Sequence, residues 1–317
     1  MSAPLTVLRR VGGMLVIASL CALLTGPALA STPDRRAASS VASKTTISTA
    51  GSRSVAWADA PLALATKVAR GVTYGGSVSG DDPIVIVLSH DGTSVRRIST
   101  RFEATCSDGP RFMVFVDGPL DRTITAAGRF IGMSSGTDDL GSGVTARSTS
   151  SLKGRVKGKK ITGSFRFHVD QVNAAGAVLA TCDQTATFEA ISARGRVFGG
   201  HTSQGGPVVV ELAAKRKAVR RFRIGWQASC TPPPDFQVGE TLINFPLTSG
   251  RFGDDFTTQN FAEPTGAKTT DSYSLRGKIQ RTRVAGTLRV KTTEADATGA
   301  TIATCDSGAI SYTAGSG

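Results

Sequence analysis

Three histidines, His90, His168 and His201, are the only side chains of this sequence with an ordinary pKa near neutrality. His168 stands two residues before Asp170, so a serine activated by His168 or His90 and oriented by Asp170 would be a hydrolytic triad. His168 alternates with Phe167 and Val169, however, which puts it on the solvated face of a strand. No His-Glu-x-x-His helix or phosphate loop occurs. Asp81-Asp82, Asp138-Asp139 and Asp254-Asp255 fall beside glycines, where loop carboxylates suit calcium, but calcium-loop spacing is missing. Glycoside hydrolysis needs two carboxylates flanking the bond. The chain repeats itself, as set out below, and both copies share only one acidic position, Asp183 and Asp306. Each follows a cysteine and is expected to close a turn by accepting backbone N–H groups. The residues therefore read as non-enzymatic, with an extracellular enzyme acting on polysaccharide as the rival, and they imply no cofactor and no metal.

Cationic chemistry is better represented. Arg221 and Arg223 alternate with Phe222, Ile224 and Trp226, and Arg289 and Lys291 alternate with Leu288 and Val290. If the two strands share a sheet, these four cations share its outer face, beside a Lys215-Arg216-Lys217 turn. Guanidinium forks suit phosphate and carboxylate, so Arg221, Arg223, Arg289 and Lys291 are the candidate polyanion-binding residues. The formal net charge of +13 points the same way. The expected partner is an anionic cell-wall polymer or polysaccharide, with nucleic acid disfavoured. Sugar stacking on Phe252, Phe256 and Phe261 is a lesser option, since Phe252 matches a core position, Phe130, and aromatics make up only 6% of the chain.

The elements that must position these residues come in two copies. Gly75-Gly76 recurs as Gly199-Gly200, Pro83 as Pro207, Cys106 as Cys230, and Gly128-Arg129-Phe130 as Gly250-Arg251-Phe252. Thr181-Cys182-Asp183 recurs as Thr304-Cys305-Asp306, and Phe188 as Tyr312. This is a tandem duplication with a period of one whole domain. The repeat selects one disulfide connectivity, Cys106–Cys182 and Cys230–Cys305, with separations of 76 and 75 residues. Each copy reads as seven to nine short strands rich in Val, Ile, Thr and Phe, broken by Gly, Pro, Asp and Ser, with no sustained helical period. The expected fold is all-β: two tandem antiparallel β-sandwich domains, jelly-roll or immunoglobulin-like, with a closed barrel as the alternative.

The amino-terminal residues complete the organisation. Arg9-Arg10, the apolar run from Val11 to Leu24 and Ala28-Leu29-Ala30 have the layout of a secretory signal peptide over 1–30. Residues 31–66 read as a Ser/Thr/Ala-rich disordered leader, 67–190 as the first repeat and 191–317 as the second. Four cysteines after the signal suit an oxidising compartment, so the chain is expected to be secreted or envelope-associated, with no transmembrane span in the mature chain.

The frame of Gly-Gly, Pro before an apolar strand, Cys, Gly-Arg-Phe, Thr-Cys-Asp and a terminal aromatic-x-Ala resembles that of secreted duplicated β-domain proteins of high-GC bacteria. The resemblance covers both repeats. It rests on glycines, cysteines and core positions, so it implies fold and export and carries no catalytic residue.

Overall fold

Alternation of apolar and polar residues drives the chain into long antiparallel strands. The computed structural model describes Val7–Leu8 and residues 72–316, apart from 80, 108–110, 142, 233–235 and 263–265. The expected signal peptide, leader and start of the first repeat at 67–71 otherwise lie outside the described residues. β1 (Val7–Leu8) lies along Thr241 and Leu242. The first repeat then contains β2 (Thr73–Val78), β3 (Asp82–Leu88), β4 (Ser94–Cys106), β5 (Arg111–Thr123), β6 (Arg129–Gly141), β7 (Val144–Lys157), β8 (Lys160–Val172) and β9 (Val178–Ile191). The second contains β10 (Val197–Thr202), β11 (Pro207–Leu212), β12 (Ala218–Thr231), β13 (Phe236–Pro246), β14 (Arg251–Ala262), β15 (Ala267–Ile279), β16 (Arg283–Ala295), β17 (Thr301–Asp306) and β18 (Ile310–Gly315).

The protein is all-β, as expected, and each repeat is a separate curled sheet. In the first, the order is β5-β4-β3-β2-β9-β8-β7-β6, and β4 also pairs with β9 at Cys106–Cys182. Below that point β4 and β9 part, and the short β2–β3 hairpin fills the opening. The six long strands from β4 to β9 run up and down and wrap one core, so of the two expected arrangements the barrel-like one is present. Alternation fixes which face of a strand is buried; it does not say whether that face meets a second sheet or its own sheet curled round. The second repeat has the same plan, with the counterpart of β9 split into β17 and β18 around Ser307–Ala309. Most strands are longer than anticipated, at 11 to 14 residues for all the meander strands except β17 and β18.

Each core is built on aromatics. In the first, Phe102 meets Phe165 at 5.6 Å and Phe165 meets Phe188 at 5.2 Å between ring centroids. In the second, Phe222 meets Tyr312 at 5.1 Å. Each such side chain stabilises by about 1.5–3 kcal/mol. The Gly-Arg-Phe motif has a packing cause: a Cβ on Gly154 would lie 2.1 Å from the Phe130 ring, and one on Gly277 would lie 2.2 Å from that of Phe252. The disulfides form as expected, Cys106–Cys182 at 2.06 Å and Cys230–Cys305 at 2.11 Å. Each joins residues directly opposite one another, on β4 and β9 or on β12 and β17.

The repeats meet through their short hairpins. Val85, Val197 and Val209 form an apolar cluster apart from both barrel cores. A Cβ at Gly75 would lie 2.9 Å from Val209, and one at Gly199 would lie 2.8 Å from Thr73 and 3.0 Å from Val85. Equivalent residues thus receive each other reciprocally, the signature of a two-fold contact between duplicated surfaces. Arg101 is buried in this contact and donates from Nη1 to the carbonyl of Trp226 at 3.0 Å. Burial pushes its pKa down to about 9, against the opposing pull of Asp82 and Glu103.

Candidate functional site

His168 projects from the outer face of β8, between the inward Phe167 and Val169. Its cross-strand partner on β9 is Asp183, and Asp170 faces Thr181. Nδ1 of His168 lies 2.9 Å from Asp183 and Nε2 lies 3.3 Å from Asp170, whose other oxygen accepts from the Thr181 hydroxyl at 2.8 Å. The bond to Asp183 raises the His168 pKa, with Asp170 adding to it. The Thr181 hydroxyl is the main cause holding the Asp170 pKa low. With a carboxylate at each ring nitrogen, the imidazolium form of His168 is favoured and both nitrogens are engaged by Asp183 and Asp170. Arg166, His168, Asp183, Gln184 and Thr185 line a shallow open depression of about 490 Å³. His90 lies in the exposed turn between β3 and β4, and His201 on β10 opposite Pro207.

Most of the paired aspartates lie in strands rather than in loops. Asp82 belongs to β3, Asp138 and Asp139 to β6, and Asp254 and Asp255 to β14. Asp254 and Asp255 are neighbours within one strand and so point to opposite faces. Asp255 instead pairs with Arg276. Asp306 does close a turn, accepting the Gly308 N–H at 2.8 Å, and it also binds Arg289. Asp183 sits mid-strand and takes His168. Phe252 is buried in the core and Phe256 stacks on Tyr273 at 4.6 Å, so neither offers a face to a sugar; the Phe261 side chain lies outside the described residues.

Two buried carboxylates escaped the sequence reading. Glu240 accepts from the Tyr273 hydroxyl at 2.6 Å and from Trp226 Nε1 at 3.3 Å; Asp271 accepts from the Thr292 hydroxyl at 2.7 Å. Both are fully enclosed in the second barrel. The signal was present: Glu240 alternates with Val238 and Leu242, and Asp271 with Tyr273 and Leu275, which places both on inward faces. Their donors tie β12, β13, β15 and β16 together from inside.

The four cations singled out from the sequence do not form one patch. Arg223 is 5% exposed and, with Arg221, pairs with Glu211. The outer face of β12 was expected to meet solvent, but beside Arg223 stand Val209, in the inter-repeat cluster, and Thr241, whose hydroxyl donates to the Asp81 carbonyl at 2.9 Å. The first repeat covers that face. Arg289 is half exposed and bidentate on Asp306, at 3.1 and 2.6 Å, and Lys291 is exposed beside it. At the level of Arg223, β11, β10 and β18 intervene between β12 and β16.

A different cationic arrangement is present in both repeats. Arg129 on β6 stands directly opposite Arg155 on β7, and Arg251 on β14 opposite Lys278 on β15. All four side chains are exposed. The ion pairs among the described residues use other cations. Lys153 and its counterpart Arg276 extend the same faces by one step along the strand. No protein-family model, curated protein or solved structure matches this chain.

Proposed function

We propose that this chain works outside the reducing cytoplasm as a non-enzymatic protein that binds an anionic polymer of the cell envelope. The observation that carries the reading is the duplicated like-charge pair, Arg129 with Arg155 and Arg251 with Lys278. Like charges about 5 Å apart across a ladder destabilise a sheet, and an anion laid over them relieves the repulsion. Compartment is supported by the two disulfides, which persist in oxidising surroundings, and by the signal-like segment over 1–30. No helix among the described residues is long and apolar enough to cross a membrane. The resemblance to secreted duplicated β-domain proteins of high-GC bacteria agrees with this reading.

Co-sedimentation of the secreted form, residues 31–317, with purified bacterial envelope tests it. Retention at low salt that disappears at high salt is expected, because screening shortens the reach of exposed charges to a few ångströms. Failure to co-sediment, or retention indifferent to salt, would overturn the reading.

A further inference from the structure

Two chain segments far apart in sequence approach the linker Ser192–Arg196 between the repeats, and a third lies against it. The Ser192 N–H donates to the Lys159 carbonyl at 2.9 Å, so the linker starts against the β7–β8 turn of the first repeat. The Gly195 N–H donates to the Ser316 hydroxyl at 3.0 Å, and the Ser316 N–H donates to the Thr282 carbonyl at 2.9 Å. That brings the linker onto the β15–β16 turn of the second repeat. A Cβ at Gly195 would lie 3.4 Å from the Arg281 carbonyl and 3.6 Å from the Arg216 guanidinium, in the β11–β12 turn. Ser192 and Gly195 are three residues apart, so these contacts fall within about 10 Å of chain.

Each of these pieces is basic. The first turn carries Lys157, Lys159 and Lys160; the second carries Arg281 and Arg283. The third is Lys215-Arg216-Lys217, and the linker itself supplies Arg194 and Arg196. All of these side chains are exposed. Among the described residues, Lys160 is the one cation of the group with a carboxylate partner, Glu189 at 2.8 Å. The cross-strand pairs continue the surface, since Arg155 and Lys278 sit two residues from the ends of β7 and near the end of β15. The protein therefore gathers charge from both repeats at one junction, against its own repulsion.

We propose that this inter-repeat junction is the binding site for a linear polyanion, engaged by both repeats at once. The proposal rests on the polyanion-binding reading above and gives it a place. The ligand chemistry is a chain of closely spaced oxyanions, phosphate or carboxylate, for which clustered Arg and Lys supply point charges and forks. Bridging two repeats suits a polymer rather than a single ion.

The test uses the secreted form with fluorescein-labelled inorganic polyphosphate and, separately, labelled polygalacturonate, followed by anisotropy across a salt series. The variant Arg194→Ser/Arg196→Ser/Arg281→Ser is expected to bind at least about tenfold more weakly at low salt, with a shallower salt slope, because fewer counterions are released. The triple lysine variant at the same positions should retain binding, which separates charge from misfolding. A control, Lys291→Ser/Arg289→Ser, should stay within about twofold of wild type on the same electrostatic grounds. Binding of one probe over the other identifies phosphate or carboxylate as the preferred group, and either supports the proposal. Failure of wild type to bind both probes, or equal losses in junction and control variants, would overturn it. Salt-sensitive envelope retention that survives in the junction variant would leave the functional reading standing and sink the junction as its site.

Discussion

His168 is the residue whose ionisation the structure constrains most clearly. Asp183 and Asp170 both favour the imidazolium, so its folded pKa lies above the ordinary 6.5. A raised histidine pKa contributes stability that is complete below the unfolded value and fades as pH rises through the folded one. Asp170 works in the other direction: its pKa lies below the ordinary 3.8, so its contribution is present above that value and is lost on acidification. The network is therefore fully formed in the mildly acidic window between the two. NMR titration of the imidazole should place the His168 pKa above 6.5, and Asp183→Asn should move it down more than Asp170→Asn does. No shift in either variant would show that the carboxylates do not hold the ring in solution, and equal shifts would show that Asp183 is not the stronger partner. At this scale the sequence was informative about faces and silent about covers. Alternation correctly puts His168 outward and Phe167 inward, and it puts Arg223 outward of its own barrel as well. What buries Arg223 is the other repeat, and a one-strand pattern carries no information about that.

At the scale of elements, the duplicated Gly-Arg-Phe motif shows how a sequence signature becomes geometry. Phe252 lies across β15 where Gly277 leaves room, and the Gly277 partner on β16 is Gly286, whose missing side chain admits the Tyr312 hydroxyl. Gly277→Ala should cost about 1–3 kcal/mol through overpacking, read as a lower urea midpoint at unchanged slope. Gly277→Ala combined with Phe252→Leu should recover part of the loss, since the shorter side chain vacates the ring volume. A single variant as stable as wild type would show that the strands spread at no cost. The strands themselves and the cysteine pairing were legible because each depends on local alternation or on the repeat. The choice between a sandwich and a barrel was not, because a half-buried strand has the same period in both. The polar interior of the second barrel was legible in principle: Glu240 occupies an inward position where the first repeat has Val116.

On the scale of the whole molecule, the duplication makes a contact as well as a copy. Gly75 and Gly199 each admit side chains from the other repeat, and Arg101 crosses from the first repeat to the Trp226 carbonyl of the second. A junction site assembled from both repeats needs this contact to hold the three basic turns in register around the linker. The two requirements are physically linked: Lys157 and Lys159 of the first repeat repel Arg194, Arg216 and Arg281 of the second across the junction, and the buried valine cluster opposes that repulsion. Gly199→Val places branched carbons where Thr73 and Val85 already sit, so it should separate the repeats without touching either barrel core. Wild type is expected to melt in one transition, and Gly199→Val in two, the first lower by several degrees for a loss of about 1–3 kcal/mol. Polyphosphate binding should weaken in the same variant although every cation remains. Adding salt should narrow the gap between its two transitions, because screening removes the repulsion that the broken contact no longer resists. A variant that melts once, or that splits but binds polyphosphate as wild type does, would show that the junction does not depend on how the repeats are joined.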